Sequence, residues 1–150
     1  MSDDAGHAQV AAHLCGWVAL QRPDGRILLA RRSGVSYGEG LWGLPGGHAE
    51  RTESWAAAAV RETAEEVGVG VDLADLSPIG VQRYLDDGMH GIDAIFLAQR
   101  WSGEPRPVAE CSEVGWFDPA HLPPDALPWL GPTLQTHLGQ GRWLIELGLR

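Results

Sequence analysis

Apolar and polar positions along the chain fall into segments of different period. From His13 to Gln21 apolar residues gather around Leu14, Trp17 and Val18, the pattern of a largely buried strand. Asp24-Gly25 is a hairpin turn signal, so Arg26 to Arg31 is expected to return as the next strand. Ser33 to Gly40 carries three glycines and reads as a loop. A helical period follows. Ala56, Val60, Thr63 and Val67 share one narrow stripe, Ser54 suits an N-cap and Gly68 a left-handed stop, which predicts a helix over 54–67.

Beyond it, Leu76 to Tyr84 and Ile92 to Trp101 read as two strands joined by a turn containing Asp86-Asp87-Gly88, and Val114 to Phe117 as a short strand. Pro119 to Leu122 is expected as a single helical turn. Pro132 to Leu147 has a helical pattern with Pro132 at an early position, weakened by Gly139 and Gly141. No repeat or low-complexity linker interrupts the chain, so residues 1–150 are expected to form one domain with 1–9 as a loose N-terminus. Strands flanked by two main helices predict an α/β fold, an α/β/α sandwich around a mixed sheet.

Charge on the predicted helix brings in chemistry. Glu62, Glu65 and Glu66 lie off the apolar stripe, and like charges three and four residues apart repel. Glu62 and Glu66 are one turn apart, so their carboxylates can converge on one ion. Hard carboxylate oxygens call for a divalent ion such as Mg²⁺, which also bridges to phosphates, and this points to chemistry on a phosphate ester or anhydride. Glu53 stands just before the helix, where the dipole favours a carboxylate. Pro45-Gly46-Gly47 makes a tight entry loop whose carbonyls can approach a metal.

These residues form one pattern. Gly47, five residues, Glu53, seven residues, then Arg61-Glu62-Thr63-Ala64-Glu65-Glu66-Val67-Gly68-Val69 resembles the signature box of the Nudix (MutT-like) hydrolases, Gly-x5-Glu-x7-Arg-Glu-U-x-Glu-Glu-x-Gly-U, with U a bulky aliphatic. Thr63 departs from the pattern at the first U. The strand Ile27 to Arg32, the run Leu41 to Gly47, and the later Trp101 to Pro105 and Glu113 to Phe117 also resemble the family, so the likeness covers roughly residues 10–130.

The resemblance implies the Nudix fold and a hydrolase using Mg²⁺ or Mn²⁺. Its substrate would be a nucleoside diphosphate linked to another group. A nucleoside triphosphate, cleaved to monophosphate and pyrophosphate, comes first; ADP-ribose or another sugar nucleotide comes second. A non-catalytic nucleotide-binding sensor would be marked by lost box glutamates, and all four remain. By the same resemblance Glu62, Glu65 and Glu66 are metal ligands, with the Gly47 carbonyl in addition. Glu53 and Arg61 pair to hold loop against helix, a bidentate task suited to arginine. Glu62 or Glu65, or Glu110 from a distant loop, serves as general base.

Substrate contacts are sought among the neighbours. Arg32 or Arg31 would reach phosphate, and alternation lets only one of them point inward. His48 follows the glycines and faces substrate or solvent. Trp42, Tyr37, Tyr84, Phe96 and Trp129 offer rings for a base, with core packing as the alternative for each. Asp93 sits among apolar strand residues, where an inward carboxylate needs a partner; it reads a substrate donor or turns to solvent.

Composition narrows the class. With 44% hydrophobic residues, 150 residues suffice for a core. A formal charge of −9 argues against stable nucleic-acid binding and repels polyphosphate, so a metal must offset it locally. Cys15 and Cys111 are too few for a disulfide framework and read as reduced thiols. No run is apolar enough to span a membrane, and Met1 to Gly6 is acidic rather than signal-like, so a cytoplasmic location with no membrane partner is expected. A homodimer is compatible with all of these features.

Overall fold

Side-chain alternation along the first strand, β1 (His13–Leu20), sorts residues into two cores. Cys15, Trp17 and Ala19 join Leu127, Leu130 and Leu134 on one face, while Val18 and Leu20 join Ala59, Val67 and Phe96 on the other. The computed structural model describes residues 9–150; residues 1–8, where the sequence predicted a loose acidic start, lie outside the described residues.

Among the described residues, eight strands form two sheets. They are β1, β2 (Ile27–Arg32), β3 (Trp42–Gly43), β4 (Gly46–His48), β5 (Leu76–Asp86), β6 (Met89–Ala98), β7 (Cys111–Phe117) and β8 (Leu144–Leu147). The larger sheet has the order β4-β1-β6-β5-β8 and is mixed: β1 runs parallel to β6, β5 parallel to β8, and the other pairs antiparallel. The smaller, β3-β2-β7, is antiparallel. Helix α1 (Trp55–Val67) packs on one face of the larger sheet, and the core beneath the short α2 (Leu130–Leu134) lies on the other. The α/β class with a mixed sheet is therefore as predicted.

Helix α1 begins and ends where its caps require. Ser54 Oγ accepts from the Ala57 N–H at 3.0 Å, and Gly68, at φ 70°, donates its N–H to the Ala64 carbonyl at 3.1 Å. Its buried face is turned from the predicted stripe: Ala58, Ala59, Thr63, Glu66 and Val67 are buried, with Ala56 and Val60 at the margin. Glu66 was expected off the apolar stripe, yet its side chain is enclosed because the Gly46 N–H donates to Oε1 at 3.0 Å. Gly46, at φ 143°, packs its Cα against the Gly16 carbonyl so closely that any Cβ would collide with it. That contact lays the entry loop flat on β1.

Four expectations about elements are corrected. Gln21 bridges Ile27 and the Arg22 N–H reaches the Arg26 carbonyl at 2.9 Å, so the Asp24-Gly25 turn forms, but its arms lead into different sheets. The second strand pair is tied closely, from Leu76↔Ala98 to Asp86↔Met89, around left-handed Asp87 and Gly88. Its later strand therefore starts earlier and stops before Trp101. Pro119 to Leu122 is no helical turn: Asp118 caps a plain turn, its Oδ1 accepting from the Ala120 N–H at 2.9 Å. The predicted helix over Pro132 to Leu147 ends with a π-helical turn, Gln135–Gly139, and becomes β8 after left-handed Gly141. The free edge of β5 takes up that segment in the register Val81↔Leu144 to Tyr84↔Leu147. Among the described residues no helix is long and apolar enough to cross a membrane.

Candidate active site

A cleft of about 420 Å³ opens where β1, β4 and β6 meet the end of α1 and the loops after β2 and before β7. One end is acidic. Glu62 presses on the entry loop so tightly that a Cβ on Gly47 would stand 2.8 Å from its Cδ. Glu66 lies beside it, and Glu110 arrives from the loop before β7. Glu110 holds a left-handed backbone, φ 57°, and its carbonyl accepts from the Ser33 N–H at 3.0 Å. Burial pushes the Glu66 carboxyl up to about 8; Glu62 and Glu110 add to the rise, while the Gly46 N–H and Arg32 oppose it. Glu62 is also raised, by burial first, against the pull of Arg61.

Arg61 is the counter-charge at the rim. Its Nε and Nη2 fork onto Glu53 at 2.8 and 2.9 Å, Nη1 reaches Glu62 at 3.0 Å and Glu65 at 3.3 Å, and Nη2 donates to the His48 carbonyl at 3.1 Å. The fork ties the loop to the helix and holds the Glu53 carboxyl down at about 2. Glu65 faces outward on this rim. Arg61 draws Glu62 and Glu65 to itself, and no three acidic, histidine or cysteine side chains among the described residues stand close enough to enclose one ion. The donor set is nonetheless all oxygen, anionic and partly buried, and burial raises two of its carboxyls, Glu62 and Glu66. That chemistry fits a hard divalent cation.

The opposite end is aromatic, with Tyr37, Tyr84 and Trp129 lining the cleft over Asp93. Asp93 is 1% exposed and points inward with partners: Oδ2 accepts from Trp17 Nε1 at 2.9 Å and from Gln82 Nε2 at 3.0 Å. Burial raises its carboxyl to about 6 despite those donors. Thr133 Oγ donates in turn to Gln82 Oε1.

Of the two neighbouring arginines, Arg32 lines the cleft and donates from Nε to the Tyr37 carbonyl at 2.8 Å. Arg31 turns away. It pairs with Asp125 and Glu113, and its guanidinium sits 5.1 Å from the Trp42 ring centroid. Trp42 is itself a core residue, edge-on to Phe117 at 5.1 Å, and Phe96 is buried against the α1-side core. Arg31, Trp42 and Phe96 thus stand outside the cleft, because alternation sends each to a packed face. His48 lines the cleft and shares a hydrogen at 3.1 Å with His13; burial, then His13 and Arg32, hold it below the usual imidazole range. Sequence reasoning passed over Trp17, Gln82 and Thr133. A glutamine flanked by Val81 and Arg83 at an inward strand position was the signal available for Gln82.

The sequence profile of the NUDIX domain matches residues 13–136. A MutT-like protein of Streptomyces ambofaciens is 30% identical over 138 residues, covering 85% of this chain and 83% of the relative. An RNA pyrophosphohydrolase of Erythrobacter litoralis is 29% identical over 163 residues, covering 96% of this chain and 99% of its own. Among solved structures, the MutT NUDIX hydrolase of Burkholderia pseudomallei superposes with a TM-score of 0.76 at 32% identity, covering 84% of this chain and 98% of that one. A profile match over most of the chain, on a fold shared with a solved member, means that this chain belongs to the NUDIX family of hydrolases.

Proposed function

We propose that the cleft hydrolyses a phosphoanhydride bond of a nucleoside triphosphate, giving the monophosphate and pyrophosphate. One observation carries this reading: Glu62, Glu66 and Glu110 gather at one end of a single cleft, and aromatic side chains at the other. The cleft's size lies in the range of small-ligand sites. The box glutamates Glu62, Glu65 and Glu66, with the Gly47 carbonyl, would hold Mg²⁺ or Mn²⁺, Arg61 keeping Glu53 and giving up Glu62 and Glu65 to the ion. When bound, such an ion neutralises charge developing on phosphoryl oxygens.

The chain's own groups do the rest. Arg32 would donate to phosphate oxygens, and His48 with His13 would add donors beside it. Glu110 would take the proton of the attacking water, with Glu62 or Glu65 as the alternative base. Arg61 and Glu53 keep the entry loop against α1. The rings of Tyr37, Tyr84 and Trp129 supply stacking surface for a nucleobase.

A free nucleotide is favoured over RNA, which appears in the name of the Erythrobacter litoralis relative, because a chain of net charge −9 repels a long polyanion. The same charge disfavours anionic membrane surfaces and nucleic acid as partners. A panel of nucleoside triphosphates, ADP-ribose and 5′-triphosphorylated RNA, read by released phosphate and pyrophosphate in Mg²⁺, tests the reading. Nucleoside triphosphates should be cleaved fastest, chelator should abolish turnover, and Mg²⁺ or Mn²⁺ should restore it. Faster cleavage of RNA or ADP-ribose would overturn the choice of substrate, and full turnover without metal would overturn the mechanism.

A further inference from the structure

Asp93 is the deepest charged group in the cleft and the phosphate chemistry does not use it. Its two oxygens are unequal. Oδ2 is saturated by Trp17 Nε1 and Gln82 Nε2, whereas Oδ1 is buried without a well-formed hydrogen bond, the Cys15 backbone N–H adding only a weaker pull on the carboxylate. An orphaned buried acceptor costs stability unless something fills it. The groups around it are fixed: Thr133 holds the Gln82 amide by its oxygen, so the amide must present nitrogen to Asp93. The carboxylate therefore cannot rotate to share its load, and Oδ1 stays the free acceptor under the aromatic walls.

Resting on the nucleotide reading above, we infer that Asp93 Oδ1 accepts a hydrogen bond from the exocyclic amino group of an amino-bearing nucleobase, cytosine or adenine. A carbonyl at the same ring position, as in uracil or hypoxanthine, would set oxygen lone pairs against a carboxylate. Guanine presents two adjacent donors that match two free oxygens side by side, and here one oxygen is already spoken for. Sites built to bond a particular group reject analogues lacking it strongly, because the protein partner is then left unpaired.

The test is binding of nucleoside monophosphates in Mg²⁺ by isothermal titration, using pairs that differ in this one group: CMP against UMP, and AMP against IMP. In at least one pair the amino member should bind about 10- to 100-fold tighter, the scale of a hydrogen bond to a charged group; the pair that shows it tells cytosine from adenine. Asp93→Asn should then place its amide nitrogen at the free position, since Trp17 and Gln82 demand the oxygen, and so narrow or reverse the preference. Equal affinity within both pairs, no binding of any of the four, or a preference that Asp93→Asn leaves intact would overturn the inference. The wild-type comparison stands alone if the variant fails to fold. A binding preference without hydrolysis would sustain this inference while failing the catalytic reading.

Discussion

Glu66 and Asp93 are both buried carboxylates in one cleft, and they are held in opposite ways. Asp93 is the more deeply enclosed, 1% against 6% exposed, yet its carboxyl rises only to about 6 while that of Glu66 rises to about 8. Two side-chain donors meet Asp93. Glu66 has one backbone N–H and stands beside Glu62 and Glu110. Depth alone does not decide how a buried charge behaves; the number of donors and the sign of its neighbours do. The end left short of positive charge is suited to recruiting a cation, and the end settled by neutral donors is suited to reading a shape.

If that contrast is right, substitutions at the two ends should separate rate from recognition. The largest effect should come from Glu66→Gln or Glu62→Gln, which remove charge with almost no change in volume. Turnover should fall by about 1,000-fold, the scale of losing a preorganised charge-stabilising group, and thermal melting should show the fold retained. Next, Glu110→Gln should lower turnover by about 100-fold or more if it takes the proton of water. A small effect there, read in the same steady-state assay, would return that role to Glu62 or Glu65.

The acidic end was legible because its residues, Glu110 apart, lie on one short stretch of chain. One helix and its entry loop carry Glu53, Arg61, Glu62, Glu65 and Glu66, and their spacing is a one-dimensional record of a three-dimensional arrangement. Ser54 and Gly68 likewise announced the ends of α1. The far end was not legible in this way. Trp17, Gln82, Asp93 and Thr133 come from β1, β5, β6 and α2, and only strand order brings them together. Asp93 could be flagged as needing a partner, but nothing local to it names Trp17 seventy-six positions earlier. The same limit explains the C-terminal segment. Leucines spaced for a helix in isolation become a strand once Gly141 turns the chain and the edge of β5 offers hydrogen bonds. Arg31 and Arg32 show the useful middle case: alternation required opposite faces, and only the fold says which one is inward.

Smaller effects sharpen the contrast further. Thr133→Val removes a buried donor and leaves Gln82 Oε1 unpaired, which should cost about 1–3 kcal/mol in a denaturation experiment. It should also weaken base discrimination while sparing turnover at saturating substrate, because Gln82 would no longer be locked nitrogen-first. The smallest effect should come from Glu113→Gln, which loses only a half-exposed ion pair with Arg31 at 3.2 Å. Stability should shift by no more than about 0.5 kcal/mol, with turnover unchanged; a rate loss matching that of Glu110→Gln would mean the loop acts through charge in general rather than through Glu110.

Whether the acidic end of the cleft holds a divalent cation is read most closely by direct titration of Mn²⁺ followed by electron spin resonance. The metal-stripped wild-type protein should bind Mn²⁺, and Glu62→Gln and Glu66→Gln, each verified as folded, should bind at least about 10-fold more weakly, since each removes a hard anionic oxygen from the donor set. Wild-type affinity retained in both variants would contradict the account.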